Sequence, residues 1–144
     1  MLIIKLQSDA EYLEIDIYGR EHPGNDYYDA NWLKVSVKIN ASGFWSDFRA
    51  SFRTEEFVGF YDDLVKFSDS SVEKVEFATM EEQLYLSGTL DYTGNINWEG
   101  FVIPRQGNKP LPFEFQTDNA SLSKLINQLK DVIRDYPVVG RIDQ

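Results

Sequence analysis

The chain has 144 residues, with 14 Lys and Arg against 24 Asp and Glu, one His and no Cys. This length predicts one domain, residues 1–144, large enough to fold without a disulfide or structural metal. Without cysteine there is no thiolate nucleophile, disulfide or cysteine-ligated zinc, and the lone His22 cannot build a multi-histidine site. We therefore predict no cofactor and no metal. Carboxylate chemistry, hydroxyl chemistry and plain binding remain open.

The formal net charge of -10 disfavours direct contact with nucleic acid, whose affinity for proteins comes mainly from lysine and arginine. The same charge attracts a basic partner. The first ten residues hold a short apolar run without a basic region or a cleavage site before or after it. No stretch approaches the roughly 18 apolar residues needed to cross a bilayer. We expect a soluble, cytoplasmic protein without membrane contact.

Alternation of apolar and polar residues predicts strands in the first part of the chain. The opening segment indicates one strand, and alternation marks residues 12–18 and 33–39 as two more. Residues 40–43 then turn the chain into a partner strand over 44–52. A one-residue slip of this hairpin would bury lysine and arginine, so its register is well specified.

From Thr54 onward the apolar residues recur with the spacing of a helix instead of a strand. Thr54 is a candidate helix cap. The alternation of the preceding strand predicts that Arg53 points away from the core. The apolar stripe of this helix is Phe57, Phe60, Tyr61 and Leu64. We predict that the helix ends near Phe67. Residues 19–30 are predicted to be an irregular surface loop between the second and third strands.

The second part of the chain repeats strands and then a helix. Strands are predicted over residues 72–79, 83–92 and 95–103, with a turn at 93–95 and an edge strand at 113–116. The closing helix has the stripe Leu122, Leu125, Ile126, Leu129, Val132 and Ile133. We predict an α+β fold with a mainly antiparallel sheet of about seven strands and two amphipathic helices, without an internal repeat.

No set of residues forms a reactive constellation. His22 lies in a loop sequence beside Glu21, which is typical of an exposed histidine, and no Gly-x-Ser-x-Gly elbow is present. Glycine-rich phosphate loops are also missing. Scattered Asp and Glu residues could supply a carboxylate pair for a hydrolase, but nothing in the sequence fixes their spacing. We therefore predict that the protein is not an enzyme.

Several large aromatic residues fall on the outward phase of the predicted strands. They are Tyr12, Tyr18, Trp32, Trp45 and Tyr85. Tyrosine and tryptophan are enriched in protein interfaces. The predicted partner-binding residues are Asp26, Tyr27, Tyr28, Asp29, Trp32 and Trp45. The alternative is that helices cover this sheet face and the aromatic residues belong to the core.

Three segments, in order and followed by a helix, carry a family resemblance. They are Asp-Ala-Asn-Trp-Leu at 29–33, Gly-Phe at 43–44, and Phe-Arg-Ala-Ser-Phe-Arg-Thr-Glu-Glu-Phe at 48–57. This pattern resembles the WapI-type immunity proteins of bacterial polymorphic toxin systems. The resemblance implies a cytoplasmic antidote that blocks the C-terminal toxin domain, often a nuclease, of a contact-delivered wall-associated protein.

The leading hypothesis is a non-catalytic protein that binds and neutralises a cognate toxin domain, expected to be basic and to be a nuclease. The acidic charge fits such a partner because opposite charges speed association. The first alternative is a carbohydrate-binding or other ligand-binding β-rich module, in which exposed aromatic rings stack on sugar rings. The second is a hydrolase with an unrecognised carboxylate pair. The oligomeric state is left open.

Overall fold

The structure, a computed structural model, describes residues 1–142. The first half contains strands β1 (Leu2–Gln7), β2 (Tyr12–Arg20), β3 (Trp32–Ala41) and β4 (Phe44–Arg53), a one-turn helix α1 (Tyr27–Ala30) and helix α2 (Thr54–Ser68). The second half contains β5 (Lys74–Ala78), β6 (Leu84–Leu90), β7 (Ile96–Val102), β8 (Leu111–Thr117) and helix α3 (Ser121–Asp135).

The strands form two antiparallel four-stranded sheets. The first sheet has the order β1-β2-β3-β4 and the second has the order β5-β6-β7-β8. The α+β class, the antiparallel pairing and the two long helices are confirmed. The eight strands of the described residues agree with the predicted count of about seven, but they form two sheets instead of one, with β1 to β4 before α2 and β5 to β8 after it. The segment at 113–116 is part of the edge strand β8, where Pro112 is tolerated.

Each half of the chain has the same order, a four-stranded meander followed by a long helix. The sequence shows no repeat because the two halves share the alternation of apolar and polar residues without sharing the residues themselves. The halves differ at one connection: only the first contains α1, between β2 and β3.

The core joins the two halves. Inner faces of both sheets and the apolar stripes of α2 and α3 belong to one cluster of buried side chains. At its centre, the ring of Phe77 on β5 lies 5.7 Å from that of Phe52 on β4 and 5.4 Å from that of Phe57 on α2. Tilted and edge-on ring pairs at these separations are favourable. Helix α2 therefore holds the last strand of the first sheet against the first strand of the second.

The β3–β4 hairpin has the predicted register, from Ala41 opposite Phe44 to Trp32 opposite Arg53. Its turn is shorter than predicted and contains only Ser42 and Gly43, whose φ angles are 54° and 82°. Two-residue hairpin turns with positive φ at both positions match the twist of the paired strands. The hairpin prediction is confirmed, although the turn begins two residues later than predicted and ends at the same residue, Gly43.

Two local predictions are wrong. Thr54 begins α2 but does not cap it: β4 runs directly into the helix, and Arg53 is the N-cap. The carboxylate of Glu56 accepts the backbone N–H of Arg53 at 2.6 Å, while Thr54 is buried. The segment 19–30 is not one irregular loop, because β2 extends to Arg20 and α1 forms at its end.

Among residues 1–142, no helix is long and apolar enough to cross a membrane.

Candidate partner-binding surfaces

The predicted residues Asp26, Tyr27, Tyr28 and Asp29 build α1. Asp26 is its N-cap: the Asp26 carboxylate accepts the N–H of Asp29 at 3.2 Å, and its carbonyl accepts that of Ala30 at 2.8 Å. The rings of Tyr27 and Tyr28 meet edge to face, with centroids 5.3 Å apart. The Asp26 side chain therefore stabilises the turn, whereas Tyr28 is 51% exposed and can meet a partner.

Arg53 organises the residues beneath α1. Its guanidinium carbon lies 5.1 Å from the ring centroid of Tyr27 and 5.2 Å from that of Trp32. It donates hydrogen bonds to the carbonyl oxygens of Tyr27 and Tyr28 at 2.8 and 2.9 Å, and it pairs with Glu55. Arg53 has the predicted outward phase but is only 5% exposed, because α1 covers it.

The C-terminal segment closes over α1. Asn31 is fully buried, and its side-chain amide N–H groups donate to the carbonyl oxygens of Tyr27 and Val139, both at 2.9 Å. Its side-chain Oδ1 accepts the backbone N–H of Val139 at 2.9 Å. Gly140 has a φ of 75°, and a Cβ there would lie 2.6 Å from the Tyr27 nitrogen. Only glycine permits this approach, so the segment after α3 is a fixed part of the surface.

These elements leave a shallow apolar depression of about 480 Å³, here named the Tyr27 cup. It is lined by Tyr27, Tyr28, Trp32, Arg53, Glu55, Glu56, Met80 and Ile142. Met80 and Ile142 on its rim are each 67% exposed. The cup thus gathers three predicted aromatic residues with two exposed aliphatic side chains.

Two groups in the cup have shifted acidities. The hydrogen bond to the Glu55 carboxylate raises the pKa of the Tyr27 hydroxyl above its usual value of 10.0. Burial raises the pKa of Glu56 above 4.5, although backbone N–H groups of Arg53 and Met80 oppose that shift. Both shifts follow from hydrogen bonds within the chain and from packing.

Trp45 lies apart from the cup. It pairs with Asn40, whereas Trp32 pairs with Arg53 at the other end of the hairpin. On β3 the two positions, 32 and 40, are eight residue steps apart, which corresponds to roughly 27 Å along the strand. Trp45 is 64% exposed. The predicted set is therefore divided into a group around α1 and one isolated tryptophan.

Tyr12 and Tyr18, two outward aromatic residues of the first sheet, lie beside cations of the same chain. Lys5 lies 4.9 Å from the ring centroid of Tyr12, and Arg49 lies 5.4 Å from that of Tyr18. Tyr12 is half-buried and Tyr18 is exposed, so the alternative that these residues belong to the core is wrong. The rings are partly exposed but already have electrostatic partners.

Tyr85 lies on the outer face of the second sheet. Its ring stacks on that of its cross-strand neighbour Phe101, with centroids 5.7 Å apart and planes 26° apart. Pro112 lies opposite Phe101 on β8 and extends the apolar platform. The Tyr85 hydroxyl donates to the Glu76 carboxylate at 2.9 Å. We call Tyr85, Phe101 and Pro112 the Tyr85 platform.

Acidic residues border the Tyr85 platform. Glu99 on β7 and Glu114 on β8 are direct cross-strand partners, and both are exposed. The Ser42 hydroxyl, at the tip of the β3–β4 hairpin, accepts the backbone N–H of Glu114 at 2.9 Å. The first sheet thus fixes the edge of the second at the position of one of these glutamates.

The sequence prediction missed Arg53 as a buried partner of the aromatic residues, and it missed Phe101 beside Tyr85. The predicted turn at 93–95 gives the wrong partners, because counting outward from it pairs Tyr92 with Ile96 and Leu90 with Trp98. In the structure the connection covers residues 91–95, so Leu90 pairs with Ile96 and Tyr85 pairs with Phe101. No sequence signal brings residues 137–142 onto α1.

In residues 1–142, no group of three or more His, Asp or Glu side chains is placed to hold a metal ion. The fold and its surfaces define a small α+β protein whose exposed aromatic and acidic groups are suited to contact a partner. The sequence profile of the immunity protein WapI-like family matches residues 2–137, so the chain belongs to that family. Membership supports the role of an immunity protein.

Two solved structures are similar to the chain at low sequence identity. The chain is 10% identical to a protein in the crystal structures of Trypanosoma brucei MRP1/MRP2, with a TM-score of 0.52 over 92% of this chain and 83% of that chain. It is also 10% identical to a chain of a guideRNA-binding protein complex bound to a gRNA, with a TM-score of 0.49 over 86% and 79%. At such identity, the first likeness shows the fold alone. No curated protein matches the chain.

Proposed function

We propose that this chain is a non-catalytic, cytoplasmic immunity protein that binds a cognate toxin domain and neutralises it. The observation that carries the proposal is the family match over residues 2–137. The same span includes both sheets and both long helices, which share one core and support treatment of the chain as one domain.

The charge supports a basic toxin, and a nuclease is the class that we favour. A nuclease binds an anionic substrate, so its surface is commonly basic, and an acidic inhibitor associates with it quickly through electrostatic steering. The net charge of -10 satisfies this requirement and disfavours direct binding of nucleic acid by this chain.

We propose the Tyr27 cup as an anchor site for the toxin, with Asp29 beside it. Tyr28 is the most exposed aromatic residue of the cup, and Trp32 lies in its floor beside Arg53. Asp26 supports the site by capping α1, and the separate Trp45 is proposed as an independent contact. Large, rigid aromatic side chains are typical of binding hot spots.

Growth of bacteria tests the function. Cells would express the C-terminal domain of a large secreted protein encoded beside this gene, with or without this chain. We expect growth arrest by that domain alone and rescue by co-expression, with nanomolar binding of the purified pair. Arrest without rescue, together with no binding, would contradict immunity towards that domain.

Alanine variants of the anchor residues test the site. Tyr28→Ala and Trp32→Ala should each weaken binding about 10-fold or more, as expected for hot-spot aromatic residues. Tyr92→Ala is the matched control because Tyr92 is 99% exposed and lies in the β6–β7 turn. If Asp26, Tyr27, Tyr28, Asp29, Trp32 and Trp45 can each be replaced by alanine without loss of affinity, the site proposal is wrong while the function stands.

The exposed Trp45 supports one alternative, a carbohydrate-binding module. It predicts a change in tryptophan fluorescence on addition of glycans, reduced in Trp45→Phe. A screen without such a change, alongside toxin binding, would leave immunity as the function.

A further inference from the structure

We propose that the outer face of the second sheet receives an arginine-bearing segment of a partner protein, whose guanidinium stacks on the Tyr85 platform and pairs with Glu99 and Glu114. This proposal rests on the proposed function, since the partner is the toxin domain. It adds a second surface, distinct from the Tyr27 cup, and states the chemistry that the partner must present.

The first argument is that the platform lacks a cation of its own. Within residues 1–142, lysine or arginine lies over Tyr12, Tyr18, Tyr27, Trp32 and Tyr136, but none lies over Tyr85 or Phe101. The two stacked rings are only half-buried. A stacked aromatic pair with a partly open face attracts a cation through its ring quadrupole.

The second argument is the charge around the platform. Glu76, Glu99 and Glu114 share the outward phase with Tyr85 and Phe101, and Lys74 is the one cation on that face within the described residues. Lys74 lies 3.7 Å from Glu76, at the far side of the sheet from Glu114. The face is therefore acidic where β7 and β8 meet.

The third argument is the register of Glu99 and Glu114. Like charges at directly opposite positions of two antiparallel strands repel each other and destabilise the sheet. The Ser42 hydroxyl holds the Glu114 backbone in place, which keeps the two carboxylates adjacent. A cation placed between them would remove the repulsion, so this arrangement favours a bound form over the free protein.

The chemistry selects arginine over lysine. A guanidinium is planar, so it can lie flat on an aromatic ring while its edge donates two hydrogen bonds to carboxylates. The ammonium of lysine is a point charge that satisfies only one of these contacts well. A depression of about 480 Å³ over the platform offers the necessary space, lined by Ser42, Tyr85, Glu99, Gly100, Phe101, Pro112, Phe113 and Glu114.

The main test compares two double variants that remove the same charge. Glu99→Gln/Glu114→Gln changes the proposed face, whereas Asp62→Asn/Glu73→Gln changes exposed residues elsewhere, on α2 and before β5. Calorimetry with the inactivated toxin domain should show binding weakened about 100-fold by the first and about 3-fold or less by the second. Equal losses would overturn the proposal, because net charge alone would then explain them.

Folding is monitored separately. Thermal unfolding should show that the Glu99→Gln/Glu114→Gln variant is at least as stable as the original chain, since it relieves like-charge repulsion. Phe101→Leu provides a second variant that keeps the apolar bulk but removes the ring. It should weaken binding about 10-fold, and unchanged affinity would overturn the stacking part of the proposal.

A peptide titration separates this inference from the proposed function. Tetra-arginine should shift the NMR signals of the Tyr85 and Phe101 rings more than tetra-lysine does, and the difference should vanish in Glu99→Gln/Glu114→Gln. This result stands even if the chosen toxin domain does not bind. Equal shifts with both peptides would overturn the choice of arginine, and absence of shifts at both rings would overturn the site.

A second copy of this chain is the competing occupant of the outer face of the second sheet. Sedimentation velocity of the chain alone should show a monomer at all concentrations tested. A concentration-dependent dimer that Glu99→Gln/Glu114→Gln abolishes would assign the face to a second copy of the chain and overturn the proposal.

Discussion

The two sheets have the same topology and different outer faces. On the first sheet, outward positions hold five cations, Lys5, Lys34, Lys38, Arg49 and Arg53, against three anions, Glu14, Asp16 and Asp47. On the second, one lysine faces three glutamates. The comparison shows that the same meander can carry an excess of cations on one outer face and an excess of anions on the other, and that ion pairs link neighbouring strands on the first.

Ion pairs on the outer face of the first sheet link β1, β2 and β3. Glu14 lies 3.6 Å from the Lys5 ammonium and 3.7 Å from that of Lys38, and Lys38 also lies 3.0 Å from the buried Asp16 carboxylate. Such pairs cross three strands and tie them laterally. Because these charged side chains are paired with each other, fewer charges on this face are available to bind a ligand.

The largest expected effect is on the first sheet. Arg53→Ala should lower the free energy of unfolding by about 3 kcal/mol, because it leaves Glu55 without its cation and removes the Arg53 hydrogen bonds to two carbonyl oxygens. Of these two oxygens, that of Tyr27 keeps the hydrogen bond from Asn31. Urea denaturation measures the change. Arg49→Ala is the control, since Arg49 is exposed over Tyr18, and it should cost less than about 1 kcal/mol. Similar losses in both variants would contradict a structural role specific to Arg53.

The next effect is on the second sheet. A Cβ at Gly100 would lie 1.8 Å from the Tyr85 carbonyl oxygen, so Gly100→Ala must push β7 from β6 beneath the platform. We expect a loss of about 2 kcal/mol in thermal or urea unfolding, together with weaker binding at the platform.

Gly59→Ala is the matched control for that change. Gly59 lies in α2, and nothing lies within 4 Å of its added Cβ. Alanine is the better helix former, so this variant should gain about 0.5 to 1 kcal/mol. If Gly100→Ala is as well tolerated as Gly59→Ala, the described approach of β6 and β7 is wrong.

A smaller change in stability is expected when one acidic charge is removed from each outer face. Glu99→Gln should stabilise the free chain by about 0.5 kcal/mol, because Glu99 opposes Glu114. Asp47→Asn on the first sheet should destabilise it by a similar amount, because Asp47 opposes Lys38. Chemical denaturation of both variants at low salt decides the signs. The same sign in both would remove the electrostatic difference between the faces.

The smallest effect is a pH dependence on the first sheet. Burial, and then the neighbouring Asp16, raises the pKa of Glu14 above 4.5 despite attraction to Lys5 and Lys38. The folded chain thus holds this proton more tightly than the unfolded chain, and stability falls as the pH rises from about 4.5 through the raised pKa. Urea unfolding between pH 4 and 7 should show that Glu14→Gln lacks this decline. Parallel pH profiles would contradict the assignment.

Local alternation and turn residues made much of the fold predictable. The β3–β4 hairpin register follows from its long alternation, and the stripe from Phe57 to Leu64 is the buried face of α2. Periodicity does not show how strands divide between sheets, because β5 and β4 have the same pattern and are separated only by a helix. The two-sheet arrangement therefore required the structure.

The candidate site was less predictable. The alternation of apolar and polar residues predicts that Trp32 and Arg53 point outward, but it cannot show that α1 covers them. It also cannot show that Asn31 binds Val139, a contact between residues 108 positions apart. Whether an outward residue is exposed depends on such distant segments. The separation of Trp45 from Trp32, in contrast, follows directly from the confirmed register.

The difference between the two outer faces is tested most directly by NMR of the labelled chain with and without the inactivated toxin domain. We predict that the ring signals of Tyr85 and Phe101 shift on binding, whereas those of Tyr12 and Tyr18, which lie beside cations of the same chain, stay in place. Shifts at Tyr12 and Tyr18 without shifts at Tyr85 and Phe101 would contradict the assignment of the second sheet's outer face as a surface that meets the partner in addition to the Tyr27 cup.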